Sequence, residues 1–88
     1  MTILVIEQFR NGDADAVGRR FREKGRMLPA GVEFVVSWID PASMTCYQIM
    51  EADSPESIQP WIQAWEDLVE FQVVPVLPSP QFWSRLQA

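Results

Sequence analysis

Two polar residues stand inside otherwise apolar stretches: Glu7 in TILVIEQF and Gln48 in MTCYQIME. A carboxylate among β-branched residues is costly to bury unless it is paired. Glu7 therefore meets an arginine, lies at an interface edge or lines a cavity. If burial raises its pKa, Glu7 becomes a candidate general base for proton abstraction. Pairing with an arginine is the plainer use. Glu51 closes the second stretch and invites the same two readings. Cys46 reads as a small core residue, because nothing near it in sequence would lower its thiol pKa. The 88 residues contain no histidine. That removes histidine acid–base chemistry, Ser-His-Asp and Cys-His nucleophile pairs, and His-ligated zinc or haem.

Aromatic residues supply a second constellation. Trp38, Trp61 and Trp65, with Met50 and Tyr47, could wall an apolar pocket, although a stripe at helical spacing also serves as plain core. The expected ligand-binding set is Glu7, Trp38, Cys46, Gln48, Met50, Trp61 and Trp65. Its place would be a wedge between a sheet and the second helix, widest near Trp61 and Pro60. A planar, mostly apolar molecule would fit there, oriented by Glu7 or Gln48. No cofactor is expected, and no metal. Asn11, Asp13 and Asp15 imitate the start of a calcium loop, but the loop glycine would fall at Ala16 and the bidentate glutamate at Arg22. The four glycines form no phosphate-binding loop.

Charge is unevenly placed. Residues 1–26 carry six basic and four acidic side chains, and residues 27–88 carry one and eight. Arg19, Arg22 and Arg26 would cluster on the first helix, opposite its apolar stripe. They form either an anion patch or a solvated face in which Asp15–Arg19 pair along the helix and Arg20 or Arg26 reaches the acidic second helix.

These groups must be held by a small number of elements. Thr2 to Phe9 reads as a strand, and Asn11-Gly12-Asp13 as a turn ending on an N-cap. A helix follows over about 14–28, with Ala14, Val17, Phe21 and Leu28 on one face and Gly18 and Gly25 at its edge. The glycines would let it lie close to a sheet. A strand over about 32–39 and another over about 44–51 are joined by Asp40-Pro41-Ala42-Ser43, which predicts an antiparallel hairpin. Ser54-Pro55 starts a second helix that runs to about Val69, with a kinked or 3₁₀ first turn at Pro60. The last strand spans about 71–77, and Pro75 places it at a sheet edge. A tail carries Phe82, Trp83 and Leu86. The order β-α-β-β-α-β is the ferredoxin-like α+β arrangement, a four-stranded antiparallel sheet with two helices on one face. The alternative is an irregular α+β fold whose tail becomes a third helix.

The mass is 10.1 kDa, with 48% hydrophobic and 22% charged residues, which is one folded domain at 1–77 plus a tail at 78–88. A net charge of -5 argues against a general role with nucleic acid. No apolar run reaches the roughly 18 residues of a spanning helix. With no apparent leader and one cysteine, the expected compartment is the cytoplasm, away from membranes.

Both faces of the sheet are apolar by pattern. Ile3, Val5 and Phe9 oppose Leu4 and Ile6; Phe34, Val36 and Trp38 oppose Val35 and Ile39; Val73 and Leu77 oppose Val74 and Val76. Two helices cover one face. A second subunit, sheet against sheet, is the expected cover for the other, with a folded-back tail as the alternative.

The stretches RFREKGRMLPAGV, CYQIMEADSP and WIQAWEDLVEFQVVPV resemble an uncharacterised family of short bacterial proteins, domain of unknown function 3303. The general look is similar to dimeric α+β barrel proteins, among them cofactor-free monooxygenases, muconolactone-isomerase-like enzymes and stress-responsive binding proteins. The resemblance implies a histidine after the first-strand glutamate, where this chain has Gln8. Three functions follow as expectations: binding of a small apolar or aromatic molecule by a homodimer, a cofactor-independent oxygenase or isomerase using Glu7 as base, or a protein-interaction module using the basic helix.

Overall fold

The computed structural model describes residues 1–87. The order is β1 (Thr2–Phe9), a 3₁₀ turn (Arg10–Gly12), α1 (Ala14–Lys24), β2 (Glu33–Asp40), β3 (Thr45–Glu51), a 3₁₀ turn (Pro55–Ile58), α2 (Gln59–Trp65), β4 (Val69–Val76) and α3 (Ser79–Gln87). The four strands form one antiparallel sheet in the order β2-β3-β1-β4. This is the ferredoxin-like α+β arrangement with an added third helix. β1 is central, and β4 with Pro75 lies at an edge, where a missing N–H costs no ladder bond.

Local chemistry sets the ends of the elements. The Asp13 carboxylate accepts from the Ala16 N–H at 3.1 Å and caps α1. The helix stops at Lys24, four residues short of the expected end, because Gly25 turns the chain at φ 68°. Asp40 builds the hairpin turn, accepting from Ala42 N at 3.0 Å and Ser43 Oγ at 2.9 Å. Those bonds hold its pKa below the ordinary carboxylate value. The 3₁₀ turn before α2 carries Pro55 near its start. Ser54 stands at the cap position, but its Oγ meets Ser57 Oγ at 3.1 Å and not a backbone N–H. α2 ends at Trp65, and a turn closed by Leu68 N to Trp65 O at 2.9 Å brings in β4 two residues earlier than expected.

Ladder partners share a face of the sheet, so the registers divide its residues cleanly. Ile3, Val5, Glu7 and Phe9 pair with Met50, Gln48 and Cys46 on one side and with Pro75, Val73, Phe71 and Val69 on the other. This inner face packs on Ile58, Trp61 and Trp65 to make the core. In β2 the ladder shifts between Phe34 and Val36. The extra residue, Val35, breaks the alternation there. Phe34, Ser37 and Ile39 consequently face inward, while Val36 and Trp38 face outward beside Ile49 and Tyr47. A strict period of two instead puts Phe34, Val36 and Trp38 on one face.

α1 is held less closely than α2, and none of its residues is buried. The glycines do not bring it onto the sheet. A Cβ at Gly18 would meet only the Arg22 Nη1 at 3.4 Å, and one at Gly25 would meet nothing within 4 Å. Gly25 serves its positive φ. The helix is tied instead by Arg20, whose Nη1 and Nη2 reach Asp67 Oδ1 and Oδ2 at 2.6 and 2.7 Å, with a further bond to Ala64 O at 3.1 Å. The bidentate pair lowers the Asp67 pKa.

The tail forms α3, and residues 79–86 are all exposed. Phe82, Trp83 and Leu86 are 45, 58 and 65% exposed, and the molecule extends 48 Å along its long axis. The outer face of the sheet is not covered by it: Trp38 is 62% exposed.

Candidate functional site

Because α1 stands off the sheet while α2 packs down, a cavity of about 310 Å³ opens between them. Its floor is the inner face of β1, β2 and β3, through Glu7, Ser37, Ile39, Cys46 and Gln48. Its roof is Val17, Gly18 and Phe21 of α1, and Trp61 and Trp65 of α2 form the far wall. Phe21 and Ile39 are 43 and 55% exposed and mark the open side. The wedge therefore widens beneath α1. The expected opening near Pro60 is not formed, since Trp61 is buried against Phe71 with ring centroids 5.1 Å apart.

Three side-chain atoms are buried without a hydrogen-bond partner among the described residues: Glu7 Oε2, Gln48 Nε2 and Trp61 Nε1. All three residues line this cavity. Leaving such atoms unpaired costs about 1–3 kcal/mol each, and native structures retain few of them without a use. The contrast with the neighbouring indole is direct. Trp65 Nε1 donates to Arg26 O at 3.0 Å.

Burial pushes the Glu7 carboxyl up to about 7, against weaker opposing effects from the Cys46 thiol and the Arg26 charge. Cys46 is the direct ladder partner of Glu7. Its own burial, the Glu7 charge and the hydrogen bond to Glu7 push it up to about 12. A thiol in that state is neutral and a poor nucleophile.

Of the residues expected at a ligand site, Glu7, Cys46, Gln48, Trp61 and Trp65 line the cavity. Two are elsewhere. Trp38 lies on the outer face, turned there by the Val35 bulge. Met50 is fully buried between Ile3 and Phe34 in the ladder and does not line the cavity. Arg26 also differs from expectation. It follows Gly25, outside the helix that carries exposed Arg19 and Arg22, and stacks on Phe34 with its guanidinium carbon 3.5 Å from the ring centroid. It lines the cavity, so the three arginines make no single patch. Ser37 and Arg26 were missed as lining residues. Neither the bulge nor the helix end at Gly25 leaves a periodic signal. Gln8 faces the outer side and donates to Ser43 O at 2.7 Å. A histidine there would not share the cavity with Glu7.

Among the described residues no group of three or more His, Cys, Asp or Glu could hold a metal ion, and no helix is long and apolar enough to cross a membrane. Neither a curated protein nor a solved structure matches the chain. The sequence does match a family model along residues 1–88, and the chain belongs to the family Domain of unknown function (DUF3303).

Proposed function

We propose that the protein binds a small, planar, mainly apolar molecule in the cavity beneath α1. The observation that carries this reading is that three residues lining one mainly apolar cavity each keep a buried polar atom without a hydrogen-bond partner among the described residues. Ligand sites have this make-up, apolar walls with a few placed polar groups. Calorimetric titration with 2-tetralone, a flat aromatic ketone, tests it. One site per chain is expected, lost in Val17→Trp, which fills the cavity from its roof, and kept in Trp83→Ala on α3. No binding heat at millimolar 2-tetralone would refute the reading.

The outer sheet face favours a second reading, that the protein works as a homodimer. Leu4, Ile6, Val36, Trp38, Tyr47, Ile49, Val74 and Val76 share this face, with no lysine or arginine among its strand residues. Four strands of about eight residues present roughly 500 Å². Two copies would bury roughly 1,000 Å², the lower bound for a specific interface. The buried, neutral thiol of Cys46 suits the reducing cytoplasm.

A further inference from the structure

The three unpartnered atoms differ in kind. Glu7 contributes a carboxyl oxygen, whereas Gln48 Nε2 and Trp61 Nε1 are both donors. Two donors and one carboxyl on residues that line the same cavity suit a ligand that offers one oxygen to both donors and a proton to the carboxylate. Glu7 and Gln48 are diagonal neighbours across the β1–β3 ladder, since Gln48 lies two residues from Cys46, the partner of Glu7. Their Cβ atoms are then roughly 7 Å apart. A carbonyl group and its adjacent carbon span that gap. Resting on the ligand reading above, we propose that the site enolises a small apolar ketone or lactone, with Glu7 as the base and Gln48 and Trp61 holding the carbonyl oxygen.

The Glu7 carboxylate takes a proton from the carbon next to the carbonyl. The C–H electron pair becomes a C=C bond, and the carbonyl π pair moves onto oxygen as an enolate. The Gln48 amide and the Trp61 indole N–H stabilise that oxygen as donors fixed before the charge develops. Glu7 exchanges that proton with solvent through the open side of the cavity and then delivers a proton to the same carbon or, in an unsaturated substrate, to the far end of the conjugated system. No electron leaves the substrate, so the step is an isomerisation needing no oxidant or reductant.

The surroundings of Glu7 fit a base and not an ion-pair member. It makes no salt bridge among the described residues. The ionisable groups about it are the Cys46 thiol, neutral at working pH, and Arg26, whose guanidinium is stacked on Phe34. A carboxyl raised to about 7 is half ionised at neutral pH and has useful basicity. Cys46, beside it, stays protonated and does not compete as a nucleophile.

The test follows exchange of the 2-tetralone α-protons in D₂O by proton NMR, with binding measured by calorimetry on the same preparations. The wild-type protein should exchange them at least tenfold faster than buffer, increasingly so as Glu7 ionises near pH 7. Glu7→Gln should fall to the buffer rate while binding 2-tetralone within a few-fold of wild type. Trp61→Phe keeps a ring and deletes only the donor. It should lose most of the enhancement with a smaller loss of affinity. Binding with exchange at the buffer rate overturns enolisation and leaves the ligand reading standing. Absence of binding overturns both. Exchange that persists in Glu7→Gln overturns Glu7 as the base.

Discussion

The Cys46 thiol lies directly across the β1–β3 ladder from the Glu7 carboxyl, and the two can hold only one negative charge between them. The thiol's hydrogen bond favours the carboxylate, and the carboxylate in turn suppresses the thiolate. The cavity floor is therefore a carboxyl that titrates near neutrality beside a sulfur that does not.

This has a consequence for stability. Glu7 is raised from 4.5 to about 7 in the folded chain, chiefly by burial. Between those values the folded state keeps a proton that the unfolded state has released. Stability is therefore highest below the unfolded pKa and is lost as pH rises through the folded one. The loss amounts to roughly 3 kcal/mol by pH 8. Urea titrations from pH 5 to 8 should show that slope in the wild type, and Glu7→Gln should flatten it. A wild-type profile that is flat, or that rises with pH, would contradict the buried carboxyl.

Cys46 should be inert. With its thiol at about 12 and its side chain buried, the thiolate is scarce at pH 8. Alkylation of the folded protein by iodoacetamide should run at least a hundredfold slower than that of free cysteine. It should recover in urea. Rapid labelling of the native chain would show that the thiol is neither buried nor neutral.

The elements that carry strong local chemistry were legible in the sequence. The Asp40–Ser43 link gave the hairpin, Pro75 the edge strand, Pro55 and Pro60 the 3₁₀ entry to α2, and Glu7, Gln48, Trp61 and Trp65 the cavity wall. What escaped depended on one residue of register or on tertiary spacing. A single bulge residue, Val35, sent Trp38 to the opposite face. Nothing in the spacing of Val35, Val36 and Trp38 announces a bulge, because all three are apolar. Gly18 and Gly25 suggest close packing of α1, yet Gly25 serves a turn at positive φ and a Cβ at Gly18 would meet only the Arg22 side chain, not the sheet. The distance between α1 and the sheet creates the cavity, and no local pattern encodes it.

The Trp61 ring holds the cavity wall and the core together. It is 2% exposed and edge-packed on Phe71. Trp61→Ala should cost about 3–5 kcal/mol of stability, read by urea unfolding. Trp83→Ala, on the exposed tail helix, should change monomer stability by less than about 0.5 kcal/mol. Equal effects would place the core elsewhere.

The outer sheet face and α3 make the last prediction. Trp38 and Tyr47 are ladder partners on that face and are 62 and 39% exposed, and Val36 and Ile49 lie beside them. Phe82, Trp83 and Leu86 expose a second apolar surface on α3, where the Phe82 and Trp83 rings pack edge to face with each other at 5.1 Å. Leaving so many large side chains wet forgoes about 1.5–3 kcal/mol for each that could be fully buried. In a homodimer the two sheet faces would meet and the tail helices would extend the contact, which raises the buried area beyond what the strands alone provide. Sedimentation at micromolar concentration should give twice 10.1 kDa. Trp38→Asp should halve that mass without unfolding the chain, because the side chain is exposed in the monomer. Ending the chain after Leu77 should weaken the dimer at least tenfold and leave the monomer's urea midpoint unchanged. A wild-type chain that sediments as a monomer would instead mean that the outer face and α3 have some other occupant, and the homodimer would be abandoned.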